Sequence, residues 1–136
     1  MCKNNIFSLA ILLILSLWSC SENTEEPIFR LLSSEESGIA FSNDLSFDKD
    51  FNIYKYRNFY NGGGVSIGDI NNDGLPDIYF TSNQNSNKLF LNKGNIQFED
   101  ITDQSGTNGT RAWSTGVTMA DVNADGLLDI YVCNSG

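Results

Sequence analysis

The chain has 136 residues, enough for one small domain, and 17 acidic residues against 8 basic ones give a net charge of −9. A charge of this sign repels nucleic acid and anionic lipid and attracts cations, so we expect no nucleic-acid partner. The absence of histidine removes the commonest general base and zinc ligand, and the three cysteines lack metal-ligand spacing.

Residues 1–19 have the pattern of an export signal. Lys3 and the amino terminus provide a short positive region, and an apolar stretch follows from Ile6 to Trp18. That stretch is too short to span a bilayer comfortably, but it has the length of the apolar part of a signal peptide.

The end of this signal, Leu17-Trp18-Ser19-Cys20, resembles the bacterial lipobox. The resemblance implies that Cys20 becomes the mature N-terminus and carries acyl chains that anchor the protein to a membrane. A plain secretory signal with an incidental cysteine is the alternative. The polar, acidic residues 20–27 predict a flexible tether, and they resemble the surface-export signal of Bacteroidetes lipoproteins. We therefore expect a lipid-anchored protein of the bacterial cell envelope, in the outer membrane and exposed at the cell surface.

Aromatic residues are concentrated between residues 28 and 60. We expect them to form core and cover for a first β-sheet, and a carbohydrate-stacking surface is the alternative. The same region contains Ser37-Gly38 after an apolar segment, which echoes Ser105-Gly106 later in the chain. The residues of this cluster are Phe41, Phe47, Phe51, Tyr54, Tyr56, Phe59 and Tyr60.

A shift of 52 residues aligns Gly64–Phe80 with Gly116–Val132, and ten of the seventeen aligned positions are identical. The chain therefore contains two copies of one structural unit. Apolar residues alternate at period two, which predicts strands, and Tyr79 falls on the opposite face from Ile78, so both sheet faces should be covered. Between the two loops no apolar spacing of a helix is present. The strands predicted for the first unit are residues 64–70, 77–82, 88–92 and 97–102.

Each unit contains an acidic nine-residue loop, at residues 69–77 and 121–129, with oxygen-bearing side chains at positions 1, 3, 5 and 9 and glycine at position 6. Calcium takes about six to eight hard oxygen ligands, whereas magnesium demands octahedral geometry and retains its waters, so the pattern predicts Ca2+. The predicted side-chain ligands are Asp69, Asn71, Asp73, Asp77, Asp121, Asn123, Asp125 and Asp129. The main-chain carbonyls of Leu75 and Leu127, at position 7, complete the predicted set.

Three carboxylates in one short loop repel one another, so we expect raised pKa values unless a cation is present. A simple Asp-Gly hairpin turn would not explain the recurrence of the other acidic positions. An EF-hand or dockerin loop shares the start of the motif but needs an acid at position 12 and a following helix. Position 12 is Phe80 in one copy and Val132 in the other.

The run GGGVSIGDINNDGLPDIYFTSN, followed by NKLFLNKGNIQFEDIT and WSTGVTMADVNADGLLDIYV, resembles the FG-GAP/VCBS repeat proteins. These include integrin-α-like propellers and secreted bacterial proteins that often end in an ASPIC/UnbV domain. The resemblance covers residues 28–136 and implies an all-β fold with calcium in hairpin loops. The expected architecture is a partial β-propeller, about one and a half blades of four-stranded antiparallel sheet, at the N-terminal end of a longer protein. In isolation such a segment should expose sheet faces and an edge strand.

The expected function is a non-enzymatic binding, adhesion or scaffold module with structural calcium and an unknown protein or carbohydrate ligand. An enzyme or nutrient-uptake component acting on polysaccharide is the alternative, with its catalytic residues outside this segment. No catalytic residue is predicted, because the chain lacks histidine, a G-x-S-x-G motif and a reactive-cysteine context. The acids outside the loops that could serve catalysis are Asp44, Asp48, Asp50, Glu99, Asp100 and Asp103.

Overall fold

The computed structural model describes residues 27–109 and 113–135. The predicted signal peptide, Cys20 and all of the 20–27 tether except Pro27 lie outside the described residues. Within those described, no helix has both the length and the apolar character needed to cross a membrane. The residues from Leu32 onward form one folded unit, which contains the helices and strands given below.

The described fold consists of six short strands and two single-turn helices. In chain order they are α1 (Ser34–Ser37), β1 (Val65–Gly68), β2 (Asp77–Phe80), β3 (Lys88–Asn92), β4 (Phe98–Asp100), α2 (Thr102–Ser105), β5 (Ser114–Ala120) and β6 (Asp129–Asn134).

The strands form two antiparallel sheets. β1 to β4 lie in sequence order in the first, and β5 pairs with β6 in the second. The internal repeat extends to strand register, because Ile67 lies opposite Ile78 in the first sheet and Met119 lies opposite Ile130 in the second. The all-β prediction is confirmed, and each strand of the first unit lies inside its predicted range.

The two single-turn helices were not predicted, and α2 occupies Thr102, where a strand was expected to end. A capping box starts α1: the Glu36 N–H donates to Ser33 Oγ and the Ser33 N–H donates to Glu36 Oε2, each at 3.2 Å. Both helices end at a glycine with positive φ, 76° at Gly38 and 68° at Gly106. One turn is too short to show apolar periodicity. The repeated Ser-Gly pair, which ends each helix, was therefore the sequence signal that indicated them.

The core is built mainly from aromatic and aliphatic side chains of β2, β3 and the segment before β1. Phe90 and Phe59 are fully buried, and Tyr79 and Leu89 nearly so. Phe41 stacks on Phe80 with ring centroids 4.8 Å apart. The core interpretation therefore holds for part of the aromatic segment, and the exposed remainder is Phe47, Phe51, Tyr54 and Tyr60.

Trp113, directly before β5, is packed against the same aromatic segment. Its ring centroid lies 4.9 Å from that of Phe51, 5.1 Å from that of Tyr56 and 5.4 Å from that of Phe59. The pairs with Phe51 and Tyr56 are edge-on, and such pairs stabilise the fold beyond the effect of the area that they bury. The segment before β1 therefore stabilises the start of the second sheet as well as the first.

A buried polar junction in the segment after β2 joins the first sheet to the second. Asn83 is 1% exposed, and its Nδ2 donates to the carbonyls of Gly62 (3.1 Å) and Ser114 (3.0 Å). Its Oδ1 accepts from Asn43 Nδ2 at 2.8 Å, and its own carbonyl accepts from the Trp113 N–H at 2.6 Å. Every buried side-chain nitrogen and oxygen in the described residues has a hydrogen-bond partner, so this junction is fully satisfied.

We predict that Asn83→Ala lowers the free energy of unfolding by about 2–3 kcal/mol, because it leaves two carbonyls near the sheet junction without their donor. Asn85→Ala is the matched control, since Asn85 is exposed and its side chain makes one long bond, 3.5 Å, to the Asp44 carbonyl. The control should cost less than about 0.5 kcal/mol. Urea unfolding of both variants measures the difference, and equal losses would contradict the assignment.

Candidate metal-binding loops

The two acidic loops occupy equivalent places in the two sheets. Loop 1 (residues 69–77) connects β1 to β2, and loop 2 (residues 121–129) connects β5 to β6. Position 9 of each loop is the first residue of the following strand, and no helix follows. The structure therefore agrees with the rejection of an EF-hand loop.

In loop 1 the side chains at positions 1, 3 and 5 converge on one turn of backbone. The Asp69 carboxylate accepts from the N–H groups of Asp73 (3.1 Å) and Gly74 (2.8 Å). Asn71 Oδ1 accepts from the same Asp73 N–H at 3.2 Å. The Asp73 carboxylate accepts from the Leu75 N–H at 2.8 Å and from Asn71 Nδ2 at 2.9 Å.

Loop 2 repeats this geometry. Asp121 accepts from the N–H groups of Asp125 (3.1 Å) and Gly126 (2.8 Å), and Asn123 Oδ1 accepts from the Asp125 N–H at 3.0 Å. Asp125 accepts from the Leu127 N–H at 2.8 Å and from Asn123 Nδ2 at 3.0 Å. Glycine at position 6 has a φ of 85° in loop 1 and 88° in loop 2, a conformation that favours this residue. The duplicated sequence therefore forms a duplicated structure.

The aspartate at position 9 differs between the loops. Asp77 is fully buried, and its two carboxylate oxygens accept from the N–H groups of Ile70 (2.9 Å) and Asn92 (2.8 Å). Because Asn92 belongs to β3, Asp77 links loop 1 to the third strand of its sheet. Asp129 is only half-buried and accepts from the Val122 N–H at 3.1 Å. Position 9 of loop 1 therefore connects the loop to its sheet as well as being a predicted ligand. The sequence did not reveal this structural role.

The expectation of raised pKa values is wrong for two of the loop carboxylates. Hydrogen bonds from the Asn71 side chain and the Leu75 N–H hold the pKa of Asp73 below its usual value. The Gly126 N–H, with further backbone donors, likewise lowers the pKa of Asp121. Donors aimed at the carboxylates favour the charged form, so these acids can stay ionised without first being paired with a cation.

The chemistry of the donor set suits a hard cation, since each loop supplies three carboxylates and one amide oxygen. Across the described residues, no group of three or more Cys, Asp or Glu side chains is arranged to hold a metal ion. The loop carboxylates are directed at backbone N–H groups rather than at one shared point. The Asn71 or Asn123 amide oxygen and the position-7 carbonyl are the other ligands that the sequence predicts.

The two loops contact each other. Asn72, at position 4 of loop 1, donates from Nδ2 to the Gly126 carbonyl of loop 2 at 3.1 Å. Directly before loop 1, Gly68 is packed so tightly that an added Cβ would lie 2.7 Å from Leu128 Cδ1. The sequence carried no signal for this contact, because Asn72 is not a ligand position.

Two of the acids named above as available for catalysis, Asp48 and Asp100, have structural roles. The Asp48 carboxylate accepts from the N–H groups of Asp50 and Phe51, both at 2.7 Å, and holds a turn. Asp100 is 2.8 Å from Lys88 Nζ and also accepts from Thr102. Burial raises the pKa of Asp100, but the hydrogen bonds from Lys88 and Thr102 more than offset it and leave the pKa below its usual value. A general acid would need the opposite shift.

Residues 69–132 match the FG-GAP-like repeat family. The matched segment runs from the first residue of loop 1 to Val132 in β6, so it includes both loops and supports the FG-GAP repeat assignment. The homologues described below are vertebrate proteins, and the bacterial ASPIC/UnbV-associated type and the lipoprotein signal remain predictions.

The chain is similar to cartilage acidic protein 1 of three vertebrates. It is 38% identical to the Xenopus tropicalis protein over 78 residues, which are 57% of this chain and 12% of that protein. For the Mus musculus protein the identity is 37% over 73 residues, or 54% and 11% of the two chains. For the Homo sapiens protein it is 37% over 76 residues, or 55% and 12%. The chain thus covers only a small part of these relatives, and no solved structure matches it.

We predict that Asp77→Ala destabilises the calcium-free protein more than Asp129→Ala does. The first change removes two hydrogen bonds to a buried charged group and should cost about 3 kcal/mol, whereas the second removes one partly exposed bond and should cost about 1 kcal/mol. Urea unfolding in the presence of a chelator measures both. Equal destabilisation would show that the link from Asp77 to β3 contributes nothing.

Proposed function

We propose that this chain is a calcium-binding module of the bacterial cell envelope that acts in binding or adhesion, or as a scaffold. The FG-GAP-like repeat suggests a binding or adhesion type of module. The observation that carries the calcium proposal is the duplicated loop, whose corresponding hydrogen bonds agree within 0.2 Å in the two copies. A turn with incidental acids would not need to keep this geometry twice.

In this proposal the side chains at positions 1, 3, 5 and 9 and the carbonyl at position 7 hold the ion. The residues are Asp69, Asn71, Asp73, Leu75 and Asp77 in loop 1, and Asp121, Asn123, Asp125, Leu127 and Asp129 in loop 2. Bound calcium supplies positive charge that offsets the local −3 of each loop. The hydrogen bonds to backbone N–H groups fix the turn of the loop beforehand, which reduces the backbone entropy lost on binding.

Calcium here has a structural role. Extracellular modules bind it with dissociation constants of about 10⁻⁴–10⁻³ M, which suits a site that stays filled outside the cell. Each ion would join both ends of a loop and so stiffen the hairpin formed by its two strands. Loops 1 and 2 are in contact, so stiffening both would hold one larger surface in a fixed shape.

We also propose that the sheets are blades of a β-propeller. Tyr79 is buried, and its hydroxyl donates to the Thr107 carbonyl at 2.6 Å. Its repeat counterpart Tyr131 is 62% exposed, and β6 has no second partner strand among the described residues. A further blade would cover Tyr131 as the segment around Thr107 covers Tyr79.

The proposed location depends on the lipobox-like sequence and on Cys20. Several acyl chains together give stable membrane anchoring, whereas one chain gives marginal binding. The acidic tether would then hold the module away from an anionic surface. We place the anchor in the outer membrane and the module at the cell surface, in a protein of the bacterial ASPIC/UnbV-associated type.

A role in polysaccharide uptake or hydrolysis is the second candidate, and one feature favours it. Exposed rings of Phe47, Tyr54 and Tyr60 line an open cavity of about 520 Å³, together with the polar side chains of Asp48 and Asn52. Aromatic faces pack on the C–H faces of sugar rings, and amide and carboxylate groups bind sugar hydroxyls. In this case any catalytic residues would lie outside the chain.

We predict that the full chain binds two calcium ions at millimolar concentration. Asp73→Ala and Asp125→Ala should each remove one ion, because each deletes a central carboxylate of a single loop. Equilibrium dialysis with radioactive calcium counts the ions, and Asp50→Ala outside both loops is the control. If the unaltered chain bound no calcium at a millimolar calcium concentration, the proposal would be wrong.

For the anchor, we predict that Cys20 carries lipid when the chain is expressed in a bacterial host. Labelled palmitate should appear in the unaltered chain. It should also appear in the control variant Cys133→Ala, which removes the exposed cysteine of the folded unit. Cys20→Ala should abolish the label and release the protein from the membrane fraction. Equal labelling of Cys20→Ala would refute the lipid anchor.

A further inference from the structure

Asn72 reaches from one loop into the other. It stands between two predicted ligands of loop 1, Asn71 and Asp73, but at position 4 it is not a ligand itself. Its Nδ2 donates to the Gly126 carbonyl at 3.1 Å. Asn72 has a φ of 58°, a left-handed conformation that asparagine tolerates better than most residues.

The bond from Asn72 acts on the peptide group just before a predicted ligand. That group joins Gly126 to Leu127, and its N–H donates to Asp125 Oδ1 at 2.8 Å. Asn72 binds its carbonyl, so the peptide is held at one end by its own loop and at the other by loop 1. The orientation of this peptide sets the direction in which the chain leaves toward the Leu127 carbonyl.

We propose that Asn72 is a positioning residue that raises the calcium affinity of loop 2 without coordinating the ion. The inference rests on the proposed function, since it needs calcium to bind at Asp121–Asp129. Fixing the Gly126–Leu127 peptide in advance removes part of the ordering that binding would otherwise require. One exposed hydrogen bond of this kind corresponds to an affinity change of about two- to fivefold.

The repeat supplies an internal comparison. At position 4 of loop 2 the chain has Ala124, with a φ of 62°, so the same backbone conformation accommodates alanine. Asn72→Ala therefore makes loop 1 resemble loop 2 at this position and need not distort it. The tight packing of Gly68 against Leu128 keeps the loops in contact in the variant.

The mechanism also differs from simple repulsion between two bound ions. Asn72 carries no charge, so its contribution should not depend on ionic strength, whereas coupling between ions in exposed loops is screened by salt. An effect that persists at high salt therefore belongs to the hydrogen bond.

The experiment is a calcium titration of the full chain followed by nitrogen-15 NMR, with the amides of Gly74 and Gly126 as reporters of loops 1 and 2. Three proteins are compared at low and high salt: the unaltered chain, Asn72→Ala and Asn72→Gly. Glycine removes the side chain and any cost of positive φ together, so it separates the lost bond from backbone strain. Thermal unfolding of the calcium-free proteins shows whether the fold itself is affected.

We expect the Gly126 midpoint to move to about two- to fivefold higher calcium in both variants and at both salt concentrations. The Gly74 midpoint in Asn72→Ala and the calcium-free unfolding temperature should stay unchanged. Equal movement of both midpoints, or no movement of Gly126, would overturn the role of Asn72 while leaving calcium binding intact. No response of either glycine in the unaltered chain would overturn the proposed function and this inference together.

Discussion

Each acidic loop holds three carboxylates within nine residues, and backbone N–H groups make this arrangement possible. The Asp69 carboxylate alone accepts from two of them, and Asp121 does the same in the second copy. These donors stabilise the charged acids and bend the chain around them. The tight turn, the start of the following strand and the candidate metal site all depend on this interaction.

The same interaction connects the loops to the rest of the fold. Through Asp77 it reaches β3, so the order of loop 1 and the pairing of its sheet are linked. Asn72 and Gly68 connect loop 1 to loop 2, and the Asn83 junction joins the two sheets farther along the strands. A cation that stiffened one loop would therefore act on a connected structure, which fits a scaffold or binding module.

The parts predictable from sequence were those with a local pattern. Alternating apolar residues located β1 to β4, and the duplicated acidic motif located both loops. The single-turn helix Thr102–Ser105 was missed because one turn shows no periodicity. Asp77 is hydrogen-bonded to Asn92, and Asn72 is hydrogen-bonded to Gly126. Both partners are distant in the chain, so only the folded structure shows these contacts. Raised pKa values were expected for the loop aspartates because only the repulsion between their charges was considered. The hydrogen bonds from backbone N–H groups were not.

The central claim is that calcium binds the two loops and stiffens the fold. The most direct measurement is thermal unfolding of the full chain in millimolar calcium, compared with the same protein in chelator and in millimolar magnesium. The account predicts a clear rise in the unfolding temperature with calcium, since a ligand that binds only the folded state stabilises it, and a much smaller rise with magnesium. An unfolding temperature that is the same in calcium and in chelator would contradict it.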